Sequence, residues 1–206
     1  MRSVVVTGGT TRLGAAIAEH LETLGWYVIR SSHRNDAGAD IVVDLSRRGG
    51  AEELYAAAVS LLGGKEPDAL VNNAALFALD DTDVMALNYN APKRLIELMA
   101  ERQKTGAVVN ILDSRILNHA PSTPYEKSKA SLRDCTVEYA RRYSEVLRVN
   151  AVAPGPVLAP VDVHEPAGTT PLGRPTPGDV AAAVAFLLEA RATTGCIIPV
   201  DGGQSV

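Results

Sequence analysis

The sequence predicts an α/β fold: a single domain built on one doubly wound parallel sheet of about seven strands, with helices on both faces. Three observations carry this. Short apolar runs rich in Val, Ile and Leu recur along the chain, and each reads as a strand buried on both sides. Amphipathic stretches of helical period separate them, as parallel connections require. Glycines and small polar residues gather where strands end, the side on which such sheets hold ligands.

Composition narrows the function classes. The 206 residues are 46% hydrophobic and 21% charged, enough for one full core, and residues 1–206 show no repeats, linkers or low-complexity tracts. A net charge of −4 with a pI near 5.6 offers no basic surface to nucleic acid or an anionic membrane. Cys135 and Cys196 lack metal or redox spacing, and His20, His119 and His164 form no spaced cluster, so no metal site is expected. The chain turns into Thr7-Gly8-Gly9 too soon after Met1 to hold a signal-peptide core, and no apolar run approaches a membrane span. A cytoplasmic protein acting on a small molecule is the expectation.

In order, Val4-Val5-Val6 is a short β-branched strand, and Leu13, Ile17, Leu21 and Leu24 then recur at helical spacing. Between them lies Thr7-Gly8-Gly9-Thr10-Thr11-Arg12-Leu13-Gly14. Strand, glycine turn and helix start form a phosphate cradle: glycines let the backbone approach a pyrophosphate, and the helix start offers free N–H groups. The spacing is Thr-Gly-x-x-x-Arg-x-Gly and not G-x-G-x-x-G; an ordinary glycine-rich turn would look similar.

The second strand, 27–30, leads into Ser31-Ser32-His33-Arg34. NAD-binding folds place an acid near the end of this strand for the adenosine ribose. Hydroxyls and a basic pair suit a 2′-phosphate instead, with Arg34 making charge-assisted bonds beside His33, Ser32 and Arg12. NADP(H) is the expected cofactor, with nearby Asp36 the one residue favouring NAD(H). A third strand, 41–45, carries Asp44, with Leu45 beside it, toward the adenine; capping the next helix is the other use for Asp44.

A helix over 51–62 stops at Gly63-Gly64. The fourth strand, 69–71, runs into Asn72-Asn73-Ala74-Ala75, small enough for a ribose or nicotinamide to lie on the backbone. Phe77 beyond either stacks on a flat substrate or simply packs. Asn88 falls at or near the start of a helix running to about residue 103. The fifth strand, 107–112, delivers Asp113 and Ser114. A helix holding Tyr125 and Lys129 runs to about Tyr143, and a sixth strand, 147–152, is broken by Ala153-Pro154-Gly155-Pro156. A last helix, 178–190, precedes a strand at 197–200 and the turn Asp201-Gly202-Gly203.

Tyr125 and Lys129 sit four apart and project from one helix face. A phenol is a poor acid near neutral pH, and an adjacent ammonium favours the phenolate, so the pair is expected to be a tuned proton donor or acceptor for a carbonyl, imine or alcohol. Taken alone, Tyr-x-x-x-Lys also describes a surface contact.

Together these features resemble the short-chain dehydrogenase/reductase family over almost the whole chain, from Ser3 to Gly203. The resemblance implies a Rossmann-type fold and a nucleotide loop at Thr7, Gly8 and Gly14. It also implies an adenine contact at Asp44, and a segment at Asn73-Ala74 that supports the sheet and cofactor. Asn88 would anchor a water in the proton relay, Tyr125 and Lys129 would be the catalytic pair, Lys129 would also bind the nicotinamide ribose, and Pro154-Gly155 would contact the nicotinamide. Two departures matter. Counting from Asn110, the family's substrate-orienting Ser position falls on Asp113, with Ser114 its neighbour, so either could fill that role; and Arg12 replaces the loop's middle glycine.

Both changes resemble the pteridine and dihydromonapterin reductase branch, in which Arg enters the loop, Asp replaces the Ser, His-Arg follows strand two and a Phe like Phe77 stacks on the pterin. A carboxylate at Asp113 suits a pterin, whose amino-pyrimidinone edge offers paired N–H donors; Arg12 could reach cofactor phosphates or the pterin carbonyl. Against that branch, Asp113 lies one residue closer to Tyr125 than is usual, Ala75 stands where a Ser is frequent, and the 156–178 stretch is short for a substrate lid. The alternatives are a reductase of the same family acting on a keto-acyl, sugar or other ketone, and a non-catalytic NADP(H)-binding sensor or scaffold. Family resemblance implies a homo-oligomer, a tetramer or dimer, built through the helices at 91–103 and 124–143.

Overall fold

The computed structural model of the protein describes residues 1–77, 81–102, 105–158 and 170–206, apart from the side chains of 81 and 82. Its strands are β1 (Ser3–Thr7), β2 (Tyr27–Ser32), β3 (Ile41–Val42), β4 (Ala69–Asn72), β5 (Gly106–Ile111), β6 (Leu147–Pro154) and β7 (Ile197–Val200). The helices are α1 (Arg12–Thr23), α2 (Gly50–Leu61), α3 (Asp81–Met85), α4 (Ala91–Arg102), α5 (Arg115–Asn118), α6 (Pro124–Arg142) and α7 (Pro177–Glu189). The strands form one sheet in the order β3-β2-β1-β4-β5-β6-β7, and every neighbouring pair is parallel.

The alternation of strand side chains builds two cores. Val5, Ile29, Leu70, Val108 and Val149 pack with α2, α4 and α6 on one face. Val4, Val6, Val28, Val71 and Val109 pack with α1 and α7 on the other. Strands buried on both faces need apolar residues at every position, which is why their sequences read as continuous runs. The strand order reverses between β1 and β4, so their carboxyl ends open the crevice where ligands of such sheets bind.

Several boundaries differ from expectation. β2 continues through Ser31 and Ser32, both buried, because Ser31 pairs with Thr7 of β1 and Ile41 of β3, and Ser32 with Val42 of β3. β3 is only two residues long, and Asp44 lies beyond it. Leu24 is not on the buried face of α1 but follows the helix, 47% exposed. β6 runs on through Pro154, whose carbonyl still accepts from Ser114 N–H at 2.9 Å although its nitrogen can donate nothing.

Asn88 is not at a helix start. It lies in a π-helical turn (Ala86–Asn90) joining α3 to α4 without a break. Pro92 has no N–H to return to the Asn88 carbonyl, so the ordinary i→i−4 ladder cannot pass this point and the helix changes register. Residue 103, the expected end of this helix, lies outside the described residues, as do His164 and residues 159–169 of the stretch considered as a lid. Helix α5 was not foreseen.

The foot of the sheet is closed by charge. Arg2 pairs with Glu189 and holds its guanidinium 4.4 Å from the ring of buried Trp26, just before β2. Among the described residues, no helix is long and apolar enough to cross a membrane.

Candidate active site

At the carboxyl end of β1 the chain turns through Gly8, at φ +62°, and enters α1 at Arg12, which itself takes φ +51°. That is the left-handed region where a non-glycine residue is strained by about 1–2 kcal/mol. Arg12 therefore holds a glycine-like backbone while presenting an exposed guanidinium at the helix mouth. A Cβ on Gly14 would stand 2.0 Å from the Gly8 carbonyl oxygen, so the turn closes only around glycine.

Thr7 and Asn73 lock this turn to β4. The Thr7 hydroxyl accepts from the Asn73 and Ala74 N–H groups at 2.9 and 3.0 Å, and Asn73 Nδ2 donates to the Thr7 carbonyl at 3.0 Å. Thr7 Oγ1 is thus engaged in joining strands. Leu13 and Ala74 are partly buried against the two cores, and the Leu45 side chain is buried in one, leaving its backbone as the part available to a ligand.

At the end of β2, Arg34 N–H donates to Ser32 Oγ at 3.2 Å, while Ser32 Oγ and Thr10 Oγ1 donate to Asp36 Oδ2 at 2.7 and 3.3 Å. Asp36 therefore faces the hydroxyls expected to hold a 2′-phosphate, with His33 and Arg34 exposed beside it. Asp44 does not cap α2, whose N-cap is Gly49; it accepts from the Ser46 N–H and hydroxyl at 2.9 and 2.6 Å. Those bonds lower its carboxyl, with a smaller contribution from nearby His33. A backbone cradle that any Cβ would obstruct, a helix start and this hydroxyl-and-basic group fit a dinucleotide phosphate along the crevice.

The reacting end lies where β5 meets α6. Thr123 and Glu126 form a capping box that starts α6, and Tyr125 and Lys129 project from its first turns. Tyr125 Oη donates to Asp113 Oδ2 at 3.2 Å, and its ring lies 4.8 Å from that of Phe77, tilted by 60°. Burial and the Asp113 carboxylate raise the phenol above its ordinary range, against a lowering by Arg115. This reverses the expected lowering by Lys129. Lys129 Nζ donates instead to the Ile111 carbonyl at 2.8 Å and stands 5.8 Å from the Tyr125 ring centre. Burial pushes the Lys129 ammonium down to about 8, with Asp113 opposing.

Of the two substrate-orienting candidates, only Asp113 meets Tyr125. Ser114 is buried, and its hydroxyl donates to Gln204 Oε1 at 3.1 Å. The Asn88 side chain serves as a clamp: Oδ1 accepts from Leu76 N–H at 2.8 Å, and Nδ2 donates to the Leu76 carbonyl at 3.0 Å and Ser128 Oγ at 3.1 Å. It fixes the segment carrying Phe77. Pro154 and Gly155 border the same end of the sheet, where a Cβ on Gly155 would stand 2.8 Å from Asp201 Cα.

Sequence reasoning missed Arg115. Its Nε and Nη2 donate to Asp113 Oδ1 and Oδ2 at 3.1 and 2.9 Å, its N–H donates to Oδ1 at 2.9 Å, and its guanidinium lies 5.6 and 5.5 Å from the Phe77 and Tyr125 ring centres. The only signal was Asp-x-Arg at the end of a strand, a spacing that neither helix nor strand periodicity favours. Among the described residues, no three metal-capable side chains cluster.

A doubly wound parallel sheet, a glycine cradle at its switch point and a half-buried Tyr125 beside a buried Lys129 define a nucleotide-dependent oxidoreductase of the α/β class. A family model described as enoyl-(acyl carrier protein) reductase matches residues 10–205. The chain belongs to the short-chain dehydrogenase/reductase family. It is similar to an uncharacterized oxidoreductase of Schizosaccharomyces pombe, 30% identical over 98% of this chain and 90% of that one. It is also 28% identical to 3beta-hydroxysteroid dehydrogenase 1 of Eggerthella lenta, over 100% of this chain and 94% of that one. Among solved structures, FolM alternative dihydrofolate reductase 1 from Brucella canis, complexed with NADP, superposes with a TM-score of 0.86 at 32% identity, covering 99% of this chain and 94% of that one.

Proposed function

We propose that residues 1–206 act as one NADPH-dependent reductase domain whose substrate is a flat heterocycle of the pterin class, reduced from the dihydro to the tetrahydro form. One observation carries this reading: a carboxylate, Asp113, bonded to the Tyr125 hydroxyl beside the Phe77 ring. A carboxylate accepts from paired N–H donors, and an aromatic ring offers a stacking face; a plain ketone needs neither. The similarity to a dihydrofolate reductase complexed with NADP supports both substrate class and cofactor.

When bound in the crevice, NADPH supplies the hydride. Gly8, Gly14 and the start of α1 take its pyrophosphate, Ser32, His33, Arg34 and Arg12 its 2′-phosphate, Asp44 its adenine, and Lys129 and Pro154-Gly155 its nicotinamide half. Tyr125, a phenol protonated at neutral pH even when unperturbed and made a still weaker acid by burial and Asp113, stands ready to donate to the ring nitrogen that gains negative charge. Asp113 aims that hydroxyl and accepts from the substrate's amino edge. Lys129 places a positive charge behind the phenol as the proton leaves.

The test is NADPH oxidation with dihydrobiopterin or dihydrofolate. Tyr125→Phe is expected to lower turnover by roughly 10²–10⁴-fold, the usual scale of a lost general acid. Asp113→Ser is expected to raise the pterin KM while NADPH binding is kept. No turnover with any pterin, alongside tight NADPH binding, would sink the assignment.

A ketone reductase is the second reading, favoured by the Arg115 contact: with the Asp113 carboxylate already engaged, a ketone would need only the Tyr125 proton. A cytoplasmic location and homo-oligomers formed through α4 and α6 belong to the same proposal.

A further inference from the structure

A carboxylate has about four lone-pair positions. On Asp113 all four are taken. Oδ1 accepts from the N–H and Nε of Arg115, and Oδ2 accepts from Arg115 Nη2 and Tyr125 Oη. No capacity is left for the two N–H donors of a pterin edge. Arg115 also resembles that edge: a guanidinium is a planar fork of parallel N–H groups, and so is the cyclic guanidine unit of a 2-amino-4-oxopyrimidine. Its guanidinium carbon lies 5.6 and 5.5 Å from the centres of the Phe77 and Tyr125 rings, within the space a heterocycle set against those rings would use.

Resting on the pterin reading, we infer that Arg115 is an internal occupant of the substrate anchor and sets its specificity. A ligand gains Asp113 only by offering the same N–H fork that Arg115 withdraws. Release of Arg115 is open to a substrate because its side chain is 41% exposed, against 16% for Asp113. Half-exposed ion pairs are individually weak, and a freed guanidinium can return to water or stay on the Phe77 face. The Arg115 backbone N–H stays on Oδ1 after the side chain leaves, so Asp113 keeps its orientation. Compounds lacking the fork meet a carboxylate already paired and gain nothing by displacing its partner.

Binding without turnover tests this. Pterin is titrated by calorimetry into the NADP⁺-bound protein, where no hydride is available, beside lumazine, which carries an oxo group in place of the 2-amino group. Arg115→Met is expected to bind pterin roughly tenfold more tightly than wild type, the scale of one charge-assisted bond no longer contested, with lumazine unchanged. Arg115→Lys, which keeps the charge without the fork, is expected to fall between. Unaltered NADP⁺ affinity and melting temperature show that each variant is folded. Pterin bound by wild type but equally or less well by Arg115→Met overturns the inference and makes Arg115 a support for Asp113. Pterin bound by no variant, with NADP⁺ still bound, sinks the pterin reading and this inference together.

Discussion

Lys129 is 2% exposed, its ammonium donates to the Ile111 carbonyl, and burial pushes that ammonium down from 10.5 to about 8. Between those values the unfolded chain holds a proton that the folded chain has lost. The penalty on folding is complete below pH 8 and fades as pH climbs through the window. A Lys129→Met variant is therefore expected to hold a stability lead over wild type near neutral pH that shrinks by on the order of 3 kcal/mol by pH 10.5. Denaturant melts of the two proteins across that range measure it; a constant difference would mean the ammonium is not desolvated. At this scale the sequence identified Tyr125, Lys129, Asp113 and Phe77 as neighbours, because motif order implies where strand ends and helix starts meet. It misjudged the direction of the Tyr125 shift. Helical spacing shows that two side chains share a face, not that Lys129 turns toward a carbonyl while a carboxylate takes the phenol. Arg115 was illegible for a related reason: its partner lies two residues away across a strand end, outside any periodic rule.

Strands and helices were legible wherever hydrophobic period reported burial, as in α2, α6 and α7. The failures lie where a side chain or proline overrides that period. Serines at the end of β2 look like a loop but are held by the ladder to β3, and Ser31 by the ladder to β1 as well. α5 is four residues long, too short to show a period. The helix expected to start at or near Asn88 instead joins α3 to α4, because the π turn carries the chain past Pro92. That turn sets Asn88 against Leu76 in both directions, like one more rung of a ladder. Asn88→Ala would leave the Leu76 N–H and carbonyl without these partners, at an expected cost of about 2 kcal/mol. Because the same segment carries Phe77, the substrate KM is expected to rise more than the NADPH dissociation constant. Equal loss of both would show that Asn88 supports the whole crevice.

Over the molecule, the parallel sheet of seven strands and its cover of helices on both faces followed from apolar runs alternating with amphipathic helices, since a parallel sheet must be covered on both faces. Assembly is not written in that alternation. The outer side of α6 carries Asp134, Glu138, Arg141 and Arg142 around Val137, a shallow cleft of about 570 Å³. If α4 and α6 join copies of this chain, light scattering of the purified protein will give a dimer or tetramer mass, and Val137→Glu will lower it. A monomer at micromolar concentration would remove the oligomer from the proposal.

Trp26, the chain's one tryptophan, sits beneath the Arg2 guanidinium at the foot of the sheet, while Tyr125 and Phe77 stand at the strands' other ends. Its fluorescence is thus an indicator of the junction among Arg2, Glu189 and the first strands. The emission will track unfolding of that floor, whereas occupancy of the crevice is read from the near-ultraviolet absorption of the nicotinamide or the heterocycle.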